Sequence, residues 1–222
     1  MKLSKQTLDI LKNFSSINPS ILIRPGNTLR TITSQKNVVA EAKIAEEIDT
    51  EAAIYDLSQF LGTLSLFSDP DVEFGEKSFR ISDSTGAVAT YGYASKEAIV
   101  AAPDKSIALR SEDVVFTLEE KALVSALKAA SVMGLPNVSL IGRGGRVFLS
   151  AVNSSDASAH NWEVPVGESD TSFNVVFRLE VLKLLPKDYT VTISKNDKVI
   201  ITRFQSEVAT YFIAAETGSK FN

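Results

Sequence analysis

No cysteine occurs anywhere in the 222 residues, which excludes disulfides, thiolate metal sites and thiol nucleophiles. The single histidine, His160, has no second histidine or cysteine with which to build a metal site or a catalytic triad, so no metal or other cofactor is expected. There is no run of about 18 apolar residues that would span a bilayer. The opening Met1-Lys2-Leu3-Ser4-Lys5 leads into alternating polar and apolar residues, unlike the apolar core of a secretory signal, so a cytoplasmic protein with no membrane partner is expected. An excess of basic residues is missing too: 23 Lys and Arg stand against 27 Asp and Glu, a net charge of −4. That balance argues against a polyanionic partner unless the basic groups gather on one surface. Low-complexity tracts are absent, and 44% hydrophobic with 23% charged residues is the composition of a folded globular chain.

What the chain does contain is a repeat. Val88-Ala89-Thr90-Tyr91-Gly92-Tyr93-Ala94 returns as Val208-Ala209-Thr210-Tyr211-Phe212-Ile213-Ala214, and Phe79-Arg80-Ile81 faces Val199-Ile200-Ile201 at the same offset of 120 residues. Nearer the N-terminus an offset of 116 lays Lys5, Leu8, Ile10, Leu11 and Lys12 over Lys121, Val124, Ala126, Leu127 and Lys128. A repeat of that length is a whole domain and not a solenoid unit. Two tandem domains are expected, residues 1–94 and 113–222, joined by a connector over 95–112.

Within the first copy, Leu8, Leu11, Phe14 and Ile17 recur at helical spacing after Ser4, a suitable N-cap, so a helix is expected over Ser4 to Ser16. Lys5 and Lys12 fall within about 20° of each other on the opposite face. Strands are expected around Ile21–Ile23, Leu29–Thr33 and Val38–Ile44, with Pro25-Gly26-Asn27 as a turn. A second helix follows Asp56, and strands near Val72–Phe74, Phe79–Ser82 and Ala87–Tyr93 complete the copy. The second copy has the same order. Thr117-Leu118-Glu119-Glu120 fits a capping box opening a helix to about Met133, and Gly144-Gly145 marks a hairpin between strands at Val138–Ile141 and Val147–Val152. Further strands are expected at His160–Val164 and Phe173–Val176. Leu179, Val181, Leu182 and Leu185 suggest a short helix stopped by Pro186, before strands at Tyr189–Ser194, Lys198–Arg203 and Val208–Ala214. Each copy therefore reads as an α+β domain with two helices packed on antiparallel β-sheet.

Several segments resemble the DNA polymerase sliding clamps of T-even-type bacteriophages: Met1 to Lys5, then Leu11-Lys12-Asn13-Phe14 and Ile17-Asn18, and then Ala53-Ile54-Tyr55-Asp56-Leu57 with Phe60-Leu61-Gly62 and Leu64-Ser65-Leu66. Length, duplication and element order agree over the whole chain. The resemblance implies the DNA clamp fold and a homotrimeric ring around duplex DNA, with helices lining the hole. It also implies loading by a clamp loader complex, tethering of the replicative DNA polymerase, a late-transcription role with late transcription factors as partners, and work in the host bacterial cytoplasm.

On this reading Lys5, Lys12, Lys121 and Lys128 are the candidate phosphate contacts, with Arg178 and Lys183 near the last short helix as weaker ones. Binding is expected to be independent of sequence, since no helix presents an Arg, Asn and Gln cluster for base readout. Taken alone, each lysine pair would be an ordinary solvated helix face. Gly142-Arg143-Gly144-Gly145-Arg146 lacks the ending of a nucleotide-binding loop and reads as a turn. Tyr91 and Trp162 would ordinarily be core aromatics, but the resemblance puts their strands at opposite edges of the protomer, where they would meet neighbouring subunits. Ile99, Val100, Pro103, Ile107 and Leu109 of the connector, with Phe212 and Ile213, are candidates for a pocket taking hydrophobic partner peptides, with core packing as the competing account. No carboxylate pair sits in a recognisable catalytic setting, so an enzyme is not expected. The alternative to a clamp is a duplicated β-rich adaptor or virion protein that assembles through its edges without encircling DNA.

Overall fold

In the computed structural model, which describes residues 1–156, 158–196 and 199–221, the chain divides into two units, Met1–Ser106 and Ile107–Asn222. The split falls inside the stretch expected to connect the domains. Lys198 and Asn222, the expected start of a strand and end of a domain, lie outside the described residues.

Unit 1 opens with α1 (Lys5–Ile17), whose N-cap Ser4 accepts a bond from Thr7 N while Thr7, Ile10, Leu11 and Phe14 are buried. The strands β1 (Ile21–Ile23) and β4 (Ala52–Ile54) pair antiparallel, so the apolar stretch at Ala52–Ile54 is a strand in its own right. Between them β2 (Gly26–Ile32) and β3 (Val38–Ile48) form a long hairpin with a register shift between Gly26 and Thr28. Gly26 has φ +112°, a conformation an L side chain rarely adopts. Asp56 caps α2 (Leu57–Leu64), accepting from Gln59 N at 2.9 Å. The unit ends in a three-stranded antiparallel sheet of β5 (Asp71–Phe74), β6 (Ser78–Ser82) and β7 (Val88–Gly92), in that order.

Unit 2 begins with β8 (Val114–Leu118) and α3 (Glu120–Val132). The strands β9 (Asn137–Arg143), β10 (Arg146–Val152), β11 (Trp162–Glu168), β12 (Phe173–Arg178) and the short β16 (Lys220–Phe221) form one sheet in the order β11-β10-β9-β12-β16. Both Gly144 and Gly145 have positive φ, as a two-residue hairpin turn requires. Another antiparallel run follows the order β15-β14-β13-β8, with β13 (Tyr189–Lys195), β14 (Ile200–Gln205) and β15 (Ala209–Ala214).

Three local expectations need correction. Thr117 and Leu118 belong to β8, where Leu118 is buried opposite Tyr189, so no capping box forms; Glu119 is the N-cap without a side-chain bond, and Asp188 Oδ1 accepts from Glu120 N at 2.8 Å. The second helix of unit 2 shrinks to a 3-10 turn over Leu179–Val181. Its continuation fails because Leu185 N donates to Tyr211 Oη at 3.3 Å and Leu185 O accepts from Tyr189 Oη at 2.6 Å, drawing the backbone groups away from helical partners. The match of Phe79-Arg80-Ile81 to Val199-Ile200-Ile201 is also out of phase. Phe79 and Ile81 are buried, whereas on β14 the buried residues are Thr202 and Phe204. A one-residue slip exchanges the two faces of a strand.

The start of α1 is tied to β3 by Glu46. Its carboxylate accepts from Thr7 Oγ1 at 2.5 Å and from Ser4 N, completing from another strand what a glutamate at Thr7 would do in a capping box. Burial pushes the Glu46 pKa up, but the bonds from Thr7 and Ser4 outweigh it and leave the group below its ordinary 4.5. The stabilisation is therefore complete above that value and is lost as pH falls through the lowered one. Glu46→Gln is expected to cost about 1 kcal/mol at neutral pH, the scale of a lost helix cap, with the gap to wild type closing in acid. Urea melts at pH 7 and below pH 4 would show it; a pH-independent gap would count against the carboxylate.

Candidate nucleic-acid interface

Burial of one stripe on each lysine-bearing helix decides where its lysines point. On α1 the buried set is Thr7, Ile10, Leu11 and Phe14; on α3 it is Leu123, Ala126 and Ala130. Lys5, Lys12, Lys121 and Lys128 are all exposed on the opposite faces. Within each pair the seven-residue spacing puts the two side chains about 10 Å apart along the helix axis. The offset of 116 found in sequence therefore holds structurally here, with Thr7, Ile10 and Phe14 buried where Leu123, Ala126 and Ala130 are buried.

The four lysines are not electrostatically alike. Lys5 Nζ pairs with Asp9 Oδ2 at 2.6 Å, one turn along the same helix. Among the described residues Lys12, Lys121 and Lys128 make no ion pair. An exposed pair such as Lys5–Asp9 is worth little in stability, yet a phosphate must compete with Asp9 for that ammonium. Lys12 also stands at the rim of a groove of about 600 Å³ between α1 and α2, floored by Leu8, Leu61, Leu64 and Phe67. The groove escaped sequence reasoning because it is made by the packing of two helices whose spacing no local pattern encodes.

The weaker cationic candidates divide. Arg178 ends β12 and is held by two carboxylates, Glu180 at 2.9 Å and Glu216 at 2.9 Å, so it serves a local network before it can serve a phosphate. Lys183 is exposed beyond the 3-10 turn.

Tyr91 sits on β7 with its hydroxyl donating to Asp56 O at 3.0 Å and to Gln59 Oε1 at 3.3 Å, and its ring packs edge-on against Phe60. It is thus partly a core residue that braces the start of α2. Its counterpart in the repeat, Tyr211, is buried and bonds the backbone at Leu185. Trp162 opens β11, half-buried and opposite Ala151.

Both of these strands are sheet edges. β7 pairs only with β6 in its sheet and β11 only with β10 in its own. Tyr93 N donates to Lys77 O at 2.9 Å, so the alternating ladder turns the backbone groups of Val88, Thr90 and Gly92 outward. Nothing on β7 carries a charge, although charge is the usual protection of an open edge. β11 differs, with Glu163, Pro165 and Glu168 along it, and proline is tolerated in a sheet chiefly at edges.

The proposed peptide-pocket residues differ in exposure. Phe212 and Ile213 are buried core residues of β15 and leave no surface for a peptide, which favours core packing for these two. In the connector, Ile99, Ile107 and Leu109 are half-buried, while Val100 and Pro103 are exposed. Among the described residues no group of three or more His, Cys, Asp or Glu could hold a metal, and no helix is long and apolar enough to cross a membrane.

Comparison with known proteins gives a consistent picture. The family model for DNA polymerase processivity factor matches residues 2–101, and that for the gp45 sliding clamp, C terminal, matches residues 115–217. The sliding clamp of Vibrio phage KVP40 is 33% identical over 222 residues, covering 97% of this chain and 99% of that one. That of Enterobacteria phage T4 is 29% identical over 227 residues, covering 99% and 98%. Among solved structures, Proliferating Cellular Nuclear Antigen from Entamoeba histolytica matches with a TM-score of 0.69 at 14% identity over 97% of each chain. The fold, two domains of few helices on antiparallel sheets, is therefore that of the clamp proteins.

If the exposed lysines meet phosphate, the unpaired three should matter more than Lys5. Changing Lys121 or Lys128 to Gln is expected to reduce the slope of log affinity against log salt by about 0.9 for each copy of the residue that meets a duplex phosphate, and Lys5→Gln by less. Salt titrations of binding to duplex DNA read this directly; equal slopes for all variants would remove the lysines from the contact.

Proposed function

Starting from the premise that this chain belongs to the sliding-clamp family of DNA polymerase processivity factors, as its match to the KVP40 clamp shows, we propose that it acts as a homotrimeric ring around duplex DNA. In that ring Lys5, Lys12, Lys121 and Lys128 face the phosphates, with Lys183 a further candidate and Arg178 a lesser one. The single observation that carries the reading is the duplicated pair of exposed lysines, two turns apart, on α1 and α3 of a chain whose net charge is −4. Contacts of this kind are weak and sequence-independent, which suits a protein that must slide. Retention comes from enclosure, and no catalytic step is required of the clamp.

Ring closure is assigned to the two open edges. Strand β7 of one protomer pairs with β11 of the next, consuming the outward backbone groups at Val88, Thr90 and Gly92 and bringing Tyr91 and Trp162 to the contact. The replicative polymerase and a clamp loader complex are the expected partners, with late transcription factors a further set. Their docking surface is narrowed to the connector side chains Ile99, Val100, Pro103, Ile107 and Leu109, since Phe212 and Ile213 are buried.

The trimer is tested by solution mass. A species near three times 24.0 kDa is expected for the wild type. Thr90→Pro removes one outward N–H without touching the β6–β7 ladder, so it should yield folded protomers that no longer trimerise. Sedimentation with circular dichroism reads both; a Thr90→Pro trimer as stable as wild type would move the contact elsewhere.

A further inference from the structure

The segment after β7 contains no strand, only a 3-10 turn at Lys96–Ala98, yet it is tied to unit 1 at every second residue. Asn18 Nδ2 donates to Val100 O at 3.1 Å. Arg24 Nη2 donates to Ala102 O at 3.0 Å, and Arg24 Nε meets Asp104 Oδ1 at 3.2 Å. Ser106 Oγ donates to Glu41, whose carboxylate also takes Arg30 Nε at 3.3 Å. The carbonyls of Val100 and Ala102 and the side chains of Asp104 and Ser106 are thus bound to the unit, and the backbone bends at Asp104 and Lys105. Pro103 favours an extended conformation at Ala102 alone, a buried residue in this segment. Around it the side chains of Val100, Ala101, Pro103 and Lys105 are exposed.

Arg24 is the centre of this arrangement. It lies in the turn between β1 and β2, next to Pro25, with its side chain only 23% exposed, and one planar guanidinium holds two successive ties. We propose that Arg24 is a latch that holds residues 99–106 as a fixed strip, making it a positioning residue for the partner segment that docks there. This rests on the reading that the connector is the docking surface for the polymerase. A strip already fixed in one conformation need not be ordered on docking, so affinity is gained by preorganisation. The exposed side chains of the strip, Val100 and Pro103 among them, are then presented in one fixed arrangement, since Val100 is tied only through its carbonyl.

The test uses the intact clamp with Arg24→Ala and Arg24→Lys, the latter keeping the charge but not the two-point fork. Trypsin cleavage after Lys105 requires the strip to lift, and it should be about tenfold faster or more in Arg24→Ala, with Arg24→Lys in between. Affinity for the cognate replicative polymerase should fall in the same order by about three- to tenfold, while solution mass and salt-dependent DNA binding stay at wild-type values. Cleavage at the wild-type rate in both variants would overturn the latch. Faster cleavage with unchanged polymerase affinity would overturn the positioning role, and would locate the failure in the docking reading and not in the latch. Should Arg24→Ala fold poorly, Arg24→Lys carries the same comparison.

Discussion

Everything proposed for this protein depends on burying one apolar stripe on each of two short helices. Ile10, Leu11 and Phe14 on α1, and Leu123, Ala126 and Ala130 on α3, must leave water, and a helix with 3.6 residues per turn then has no freedom in where its other face points. The lysines are oriented by hydrophobic packing beneath them, not by any attraction of their own. That is why a protein with more acidic than basic residues can still present cations to a polyanion. Glu46 and Asp188, which take up backbone donors at the starts of α1 and α3 from distant segments, add to the same constraint from the helix ends.

The features legible in sequence were those with a local period or a local chemical requirement. Helix α1 was readable from Leu8, Leu11 and Phe14 and from Ser4, and α2 from its Asp56 cap, because each signal lies within a turn of the residue it governs. The Gly144-Gly145 turn was readable because few other residues tolerate positive φ. What failed depended on distant partners. Leu179 to Leu185 has helical spacing, yet Tyr189 and Tyr211 take its backbone groups; Thr117 looks like a cap, yet its strand pairing with β13 claims it. The apolar Phe212 and Ile213 could serve a pocket or a core equally well in sequence, and only burial separates the two.

Weak contact and tight retention are reconciled by topology. On the proposed reading Lys12, Lys121 and Lys128, which make no ion pair among the described residues, and Lys5, shared with Asp9, give a field that attracts duplex DNA but is strongly screened by salt. Such contacts exchange readily from one phosphate to the next. The proposed closed ring would convert them into long residence because leaving would require a subunit interface to open, and the proposal puts that interface at the uncharged edge of β7.

The central claim is enclosure, and retention on circular versus linear DNA tests it most directly. After loading onto a singly nicked circle in moderate salt, the protein should stay bound through gel filtration and be released when the same circle is cut once. Equal retention on the intact circle and the linear product would contradict encirclement and favour a protein that holds DNA, or its partners, by surface contact alone.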